Sequence, residues 1–119
     1  MASNGDLGAL GESVACEYLE KNGYRIICRN KRYGHFETDI ICENGEFLVF
    51  AEVKTRTKCH YGRPASSVDN RKKQNLISCA ESYIAEYGTN GKAVRLDVIE
   101  VYITKNGIRT EHLTGAITK

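Results

Sequence analysis

The strongest constraint on the fold is an apolar run within residues 47–55, shortly after the dipeptide Asn44-Gly45. The first five residues of this run are all apolar, a pattern typical of a strand that is buried on both faces of a sheet. Asn-Gly is the strongest short-range signal for a two-residue type I′ turn. The sequence therefore predicts a β-hairpin, with strands at about 37–42 and 47–55 and with Asn44 and Gly45 at its tip.

The predicted turn sets the register of the two strands and brings charged residues together. It places Glu37 opposite Glu52, and Asp39 diagonal to Glu52 at a distance of about 7–8 Å. Side chains alternate along a strand, so Lys54 lies on the same face as Glu52. Three carboxylates and one ammonium group are thus expected to converge on one side of the hairpin.

Such a group of acids suits a divalent cation. Like charges directly opposite one another destabilise a strand pair, and a hard ion such as Mg²⁺ or Mn²⁺ prefers carboxylate oxygens. Asp39 and Glu52, with Glu37 beside them, are the candidate metal ligands. Lys54 could orient an attacking water or neutralise negative charge that develops on a phosphate. Ordinary solvated ion pairs at the strand ends are the alternative reading of the same residues.

Apolar periodicity and turn residues predict the other regular elements. An opening helix, strands, a crossover helix and further strands together predict an α/β sandwich with a mixed central sheet. The predicted elements are a helix at 6–22, a strand at 24–32, a helix from Ser66 or Ser67 to about residue 88, a strand at 93–104 and a short edge strand at 108–112. These form one domain over residues 1–119, with a core at 6–112 and a frayed tail at 113–119.

Two further acids interrupt otherwise apolar patterns. Glu12 lies among small and apolar neighbours of the first helix, which suggests that it leans toward the protein, although a surface position is the common alternative. Asp97 lies in the middle of the strand at 93–104, where a buried salt bridge or a hydrogen bond at the sheet end is expected.

Basic residues follow the proposed catalytic strand and continue into the second helix. Loops in such positions often carry function, and cations there could contact phosphates. A plain solvated loop is the alternative. The candidate nucleic-acid-binding residues of this segment are Arg56, Lys58, His60 and Arg63, while solvated charge is the default reading for the cations of the helix.

Composition excludes several classes of protein. The net charge of +2 is only mildly basic, so charge alone does not indicate a nucleic-acid partner. The five cysteines have none of the Cys-X-X-Cys spacing of a zinc or redox motif, so they are expected to be reduced and structural. The start of the chain lacks the features of a signal peptide, and no apolar run is long enough to cross a membrane. A cytoplasmic location is expected, with no membrane partner.

Several motifs, in this order and spacing, resemble the YraN-like family of small bacterial proteins. They are Gly11-Glu12, the segment from His35 to Asp39, the segment from Phe50 to Arg56, Val68 with Lys72 and Leu76, and the segment from Arg95 to Val98. Where the family usually has Gly-Glu-Ile-Asp, this chain has Phe36-Glu37-Thr38-Asp39.

The resemblance implies a restriction-endonuclease-like fold of the PD-(D/E)XK superfamily, which is a three-layer α/β sandwich. It implies a nuclease-type site with Asp39 and Glu52 as metal ligands, Lys54 as the catalytic lysine and Glu12 as a further acid. It also makes Lys72, which matches a basic position of the family, a candidate nucleic-acid-binding residue. The implied activity is Mg²⁺- or Mn²⁺-dependent hydrolysis of DNA, including branched or structured DNA. By analogy with archaeal Holliday-junction resolvases, the resemblance also allows a homodimer.

Two other functions remain open on the sequence. One is a nucleic-acid-binding accessory protein that keeps the fold, with or without the metal, but does not cut. The other is a small protein-interaction module without a nucleic-acid role. Salt-sensitive binding to DNA would separate the second of these from the rest.

Overall fold

A computed structural model describes residues 4–57 and 70–118 of the chain. Apolar residues at helical spacing form the helices, and the apolar runs between turn residues form the strands. The elements are α1 (Asn4–Lys21), β1 (Arg25–Tyr33), β2 (Phe36–Glu43), β3 (Phe47–Arg56), α2 (Asn70–Tyr87), β4 (Ala93–Thr104) and β5 (Gly107–Leu113).

The strands form one sheet in the order β1-β2-β3-β4-β5. All neighbouring strands are antiparallel except β3 and β4, which are parallel. Parallel neighbours need a crossover connection, and α2 lies between them in the chain. The prediction of a mixed central sheet is therefore confirmed.

The helices cover opposite faces of the sheet. Alternate residues of the central strands belong to two separate apolar clusters, as the two-residue period of a strand requires. Ile40 and Val49 pack in the cluster that contains residues of α1, while Ile41 and Phe50 pack in the cluster that contains residues of α2. The α/β fold with three layers is thus confirmed, and each strand residue can be assigned to an α1 face or an α2 face.

The tip of the β2–β3 hairpin differs from the prediction. Asn44 donates its backbone N–H to Phe47 O at 3.0 Å, and its side-chain oxygen accepts the N–H groups of Glu46 and Phe47. Gly45 and Glu46 therefore form the tip. Neither Asn44 nor Gly45 has a positive φ, which a type I′ turn would require. The type I′ prediction is wrong because the Asn44 side chain forms an Asx turn instead.

This turn moves the register of the hairpin by two residues. Glu43 pairs with Leu48, and Ile40 pairs with Ala51. The predicted pairing of Glu37 with Glu52 is wrong, since the β2–β3 pairing ends at Ile40 and Ala51 and its register would bring Asp39, not Glu37, opposite Glu52. A shift of two residues keeps every side chain on its predicted face, whereas a shift of one would reverse them all.

The remaining element boundaries agree closely with the sequence. The strand predicted at 93–104 is confirmed without change, and the edge strand is one residue longer at each end than predicted. The predicted cap at Ser66 or Ser67 lies outside the described residues. Among the described residues, neither helix is both long and apolar enough to cross a membrane.

The segment predicted to be a frayed tail contains a packed residue. Ile117 is buried in the cluster on the α2 face, and its N–H donates to Leu96 O at 3.3 Å. Gly115 donates its N–H to the Asp97 carboxylate at 2.8 Å. The core therefore extends beyond residue 112.

Asp97 forms the buried salt bridge that its position in the sequence predicts. The side chain is fully buried, and Arg95 donates to it from Nε at 2.9 Å and from Nη2 at 2.8 Å. His112 Nε2 lies 2.6 Å from the same carboxylate, and Tyr18 Oη lies 3.1 Å from His112 Nδ1. Because an ionised carboxylate only accepts hydrogen bonds, Nε2 carries a proton.

Candidate active site

The site lies where β2 and β3 separate. Their pairing ends at Ile40 and Ala51. One residue further along, Asp39 Oδ2 accepts a hydrogen bond from the backbone N–H of Val53 at 2.7 Å. The carboxylate thus replaces the backbone partner that a continued ladder would supply, and continuing the register places Asp39 opposite Glu52. We call the point where the two strands separate the hairpin fork. Here Asp39 and Glu52 share a side-chain hydrogen bond, so the distance between them is shorter than in the predicted diagonal arrangement.

Asp39, Glu52 and Lys54 occupy the α2 face of the sheet. Val53, between the last two, packs with the cluster on the α1 face, so its neighbours in the strand point the other way. Lys54 Nζ lies 3.8 Å from Glu52 Oε1, and the two side chains are only 14% and 17% exposed. The predicted convergence of two acids and a lysine is therefore present.

A cavity of about 400 Å³ opens over this fork. Acidic, basic and amide side chains from four elements and one turn line it: Glu12, His35, Glu37, Asp39, Glu52, Lys72 and Asn75. Lys54 lines an adjoining cavity of about 430 Å³, and Lys72 lines both. The site is thus an open, polar cleft beside the beginning of α2.

Gly11 allows α1 to bring Glu12 to the cleft. A Cβ atom at Gly11 would collide with the Thr55 side chain of β3, so only glycine permits this close contact. The next residue, Glu12, lines the cleft and lies 3.7 Å from Arg29 Nη2. The inward position predicted for Glu12 agrees with this arrangement.

The pKa values of the two central carboxylates are both raised, chiefly by burial. Burial raises the pKa of Asp39 to about 7, and the charge of Glu52 adds to the increase. Burial also raises the pKa of Glu52, although the charges of Lys54 and Lys72 act against it. The hydrogen bond from Val53 favours the ionised form of Asp39 but does not offset burial. Near neutral pH the pair therefore tends to share a proton.

Lys54 is held beside a second cation. Burial lowers the pKa of Lys54, and the contact with Lys72 lowers it further, while Glu52 and Asp39 act in the opposite direction. The two lysines come from different elements, β3 and α2. The cleft therefore places its positive charge immediately beside its acids.

The outer predicted residues have other partners. Glu37 lines the cleft, but its carboxylate accepts a hydrogen bond from Arg32 Nη2 at 2.7 Å. Arg56 lies further along β3 and donates from Nε to the buried Glu100 at 3.0 Å. Three predicted nucleic-acid-binding residues lie outside the described residues: Lys58, His60 and Arg63.

His35 and Asn75 line the cleft but were not predicted as site residues. His35 is next to the motif that contains Glu37 and Asp39, so its position could have been inferred. Asn75 had no local signal, because its role depends on how α2 crosses the sheet.

The donor set fits a hard divalent cation held by few protein ligands. Asp39 and Glu52 supply oxygen atoms, and their shared proton occupies a position that a cation could take. Within residues 4–57 and 70–118, no group of three or more His, Cys, Asp or Glu side chains forms a metal cluster. Mg²⁺ commonly uses one or two carboxylates and completes its coordination with water and substrate phosphates, which agrees with this pair.

The sequence profile of a known family matches most of the chain. Residues 11–101 match the family described as "Uncharacterised protein family UPF0102". The chain belongs to this family. The residues that match UPF0102, 11–101, include every central residue of the cleft. These are Glu12, Asp39, Glu52, Lys54 and Lys72.

Relatives in several bacteria are similar over nearly their whole length. A UPF0102 protein of Dehalococcoides mccartyi is 40% identical over 112 residues, covering 94% of this chain and 93% of the relative. One of Beutenbergia cavernae is 39% identical, covering 97% and 98%. One of Symbiobacterium thermophilum is 43% identical, covering 80% of each chain.

A solved structure also matches this UPF0102 chain. It is the structure of Pyrococcus furiosus SfsA in complex with Ca²⁺, with a TM-score of 0.49 and 14% identity. The match covers 94% of this chain and 65% of that protein.

Proposed function

We propose that this protein hydrolyses phosphodiester bonds in DNA with the aid of Mg²⁺ or Mn²⁺. The observation that carries the proposal is the pair Asp39 and Glu52, largely buried at the hairpin fork with Lys54 Nζ 3.8 Å from Glu52. A fold gains nothing from two adjacent acids whose pKa values are raised by burial. The arrangement suits a site that binds a cation and a phosphate.

Each residue of the cleft has a role in this proposal. Asp39 and Glu52 hold the metal ion, and Glu37 stands at the outer edge of the site. When bound, such an ion supplies positive charge that stabilises a phosphate in the transition state. Lys54 orients the attacking water or neutralises charge on the phosphate, and Glu12 is a further acid.

The substrate enters from the side of the cleft that carries the cations. Lys72 lines both adjoining cavities, so a phosphate near Lys54 would lie between two positive charges. Arg56, which also pairs with Glu100, lies further along β3. Cations in a line of this kind contact backbone phosphates rather than base edges, so a preference for DNA structure rather than sequence is expected.

The test is cleavage of labelled single-stranded, flapped and branched DNA, with RNA as a comparison. Activity should require Mg²⁺ or Mn²⁺ and should disappear with a chelator. Lys54→Ala should reduce the rate by about 100-fold or more, a typical effect of removing one group that stabilises the transition state. Lys105→Ala, an exposed lysine in the β4–β5 turn, is the matched control and should cut like the wild type. Equal rates of cleavage for wild type and Lys54→Ala would contradict the proposal that this site hydrolyses DNA.

Binding without cleavage is the second candidate function. It is favoured by the absence of a three-ligand metal cluster among the described residues. Under this alternative, DNA binding should weaken steeply with salt, because released counterions drive it. No substrate should be cut with any divalent ion. Calorimetric titration of Mn²⁺ against wild type and Asp39→Asn shows whether a competent metal site exists. Without Mn²⁺ binding the nuclease is ruled out, and with it the cleavage assay separates the two candidates.

A further inference from the structure

The two edges of the sheet are built differently. At one edge, β1 has a register shift between Ile26 and Cys28, and Asn30 has a positive φ of 52°. Four of the nine residues of β1 are arginine or lysine. Irregular backbone and repeated positive charge are features that keep an edge strand from pairing with another chain. β1 is therefore protected against the addition of a strand.

β5, at the other edge, is regular and far less protected. It pairs with β4 in unbroken register from Leu113 to Gly107 and contains no lysine or proline. Ile108 is 54% exposed. In the described part of the chain, the sheet ends at β5. A regular edge strand with an exposed apolar side chain is a surface to which another strand can add.

The sequence of β5 is complementary in charge to itself. Antiparallel pairing about a two-fold axis at Thr110 sets position 109 opposite position 111. Arg109 then faces Glu111 of the second copy, and the symmetry repeats the pair. These side chains are 42% and 46% exposed, so a second copy can contact both. They already pair at 3.4 Å within one strand, and the second copy would add its own pair to form a cluster of four alternating charges. Opposite charges directly across a strand pair are stabilising.

The same pairing covers the exposed apolar residue. Position 108 falls opposite position 112, and both side chains lie on the α1 face because strand residues alternate. Ile108 of the second copy would lie beside His112, whose ring packs edge-on against Tyr18. Tyr18 and Ile108 line a groove of about 340 Å³ between α1 and β5. Two copies of this groove would meet at the axis.

We propose that β5 pairs antiparallel with β5 of a second copy of this chain, with the two-fold axis at Thr110. The interface is isologous, the commonest arrangement in homodimers, and the sheet becomes continuous across both copies. The inference is independent of the proposed nuclease activity, because no central residue of the cleft lies on β5.

Charge reversal tests the pairing. Sedimentation equilibrium should show a dimer for the wild type. Arg109→Glu and Glu111→Arg each place like charges across the axis and should weaken dimerisation at least tenfold, which corresponds to about 1.4 kcal/mol. The double variant restores both pairs and should return the dissociation constant to within about threefold of the wild-type value. Lys105→Glu changes the net charge equally outside the strand and should have little effect.

Cross-linking tests the register. In Thr110→Cys the two thiols face each other across the axis, within the distance that a disulfide spans, and mild oxidation should give a covalent dimer. Ile108→Cys places the thiols far apart and should not cross-link, and the wild type controls for the native cysteines. Thermal unfolding confirms that each variant is folded. A wild type that stays monomeric to about 100 µM, a double variant no better than the single ones, or preferential cross-linking through position 108 would each overturn the inference.

Discussion

Asp39 and Asp97 are both buried acids of the central sheet, yet their surroundings act in opposite directions. Burial raises the pKa of Asp39 to about 7. Burial alone would also raise the pKa of Asp97, but hydrogen bonds from His112, Arg95 and Gly115 outweigh it, and the pKa of Asp97 lies below its ordinary value. Asp39 receives one backbone N–H and faces a second carboxylate.

The comparison separates an acid that holds the fold together from one that is prepared for a ligand. Asp97 connects β4 with β5 and with the chain after β5, and its donors compensate its charge. The Asp39–Glu52 pair has one backbone donor and two neighbouring lysines, but these do not outweigh burial, since the pKa of each acid stays raised. Burial of an acid is therefore a weak guide to function until its donors are counted.

The largest expected effect is on catalysis. Asp39→Asn keeps an oxygen that can accept the Val53 N–H but removes the charge that holds a cation. We expect the rate of DNA cleavage to fall by about 100- to 1000-fold with an unchanged circular dichroism spectrum. Asp97→Asn serves as the comparison: assayed well below its melting temperature, it should lose far less activity. If folded Asp97→Asn lost as much activity as Asp39→Asn, the assignment of a structural role to Asp97 and a catalytic role to Asp39 would be wrong.

The next largest effect is a loss of stability on substitution of Asp97. Asp97→Asn leaves Arg95 and His112 without their common acceptor, and breaking one partner of a buried ion pair costs about 3 kcal/mol. Urea unfolding should show this decrease in the free energy of unfolding. The same substitution at Asp39 should not destabilise the metal-free protein at pH 8.

A smaller effect should appear in the pH dependence of stability. The folded pKa of Asp39 is raised from its ordinary value to about 7, so the folded state binds more protons than the unfolded state between these values, and stability falls as pH rises through about 7. The lowered folded pKa of Asp97 has the opposite effect. Its contribution to stability is lost as pH falls below the ordinary pKa of an aspartate.

Metal-free wild type should thus lose about 1 kcal/mol between pH 5 and pH 8, roughly half of what an isolated group with this shift would give over that range, because the pair shares its proton. Asp39→Asn should flatten this decrease, and urea unfolding at several pH values would measure it. A decrease of equal size in Asp39→Asn would mean that other groups cause it.

The smallest effect concerns the metal ion itself. Because a cation competes with the shared proton, Mn²⁺ should raise the melting temperature more at pH 8 than at pH 5. The difference should be a few degrees, since about 1 kcal/mol shifts the melting temperature of a domain of this size by about 4–8 °C. Asp97→Asn should retain the Mn²⁺ response, and Asp39→Asn should lose it.

Most of the fold could be predicted from local patterns. The apolar runs gave the strands, and the two-residue alternation gave the faces, so Asp39, Glu52 and Lys54 were correctly placed on one side. The register of the hairpin could not be predicted, because the Asn44 side chain competes with the backbone for hydrogen bonds in the turn. Neither the packed chain around Ile117 nor Asn75 could be predicted, since both depend on tertiary contacts with no local signal.

The two-residue offset at Gly45 and Glu46 has a consequence for how this hairpin can vary. Adding or deleting residues in pairs at the tip would shift the two strands relative to each other. Asp39, Glu52 and Lys54 would still face the layer that contains α2. One inserted residue would instead point the acids toward α1 and bury apolar groups in the wrong layer. Natural length variation at this bend should therefore proceed by even steps.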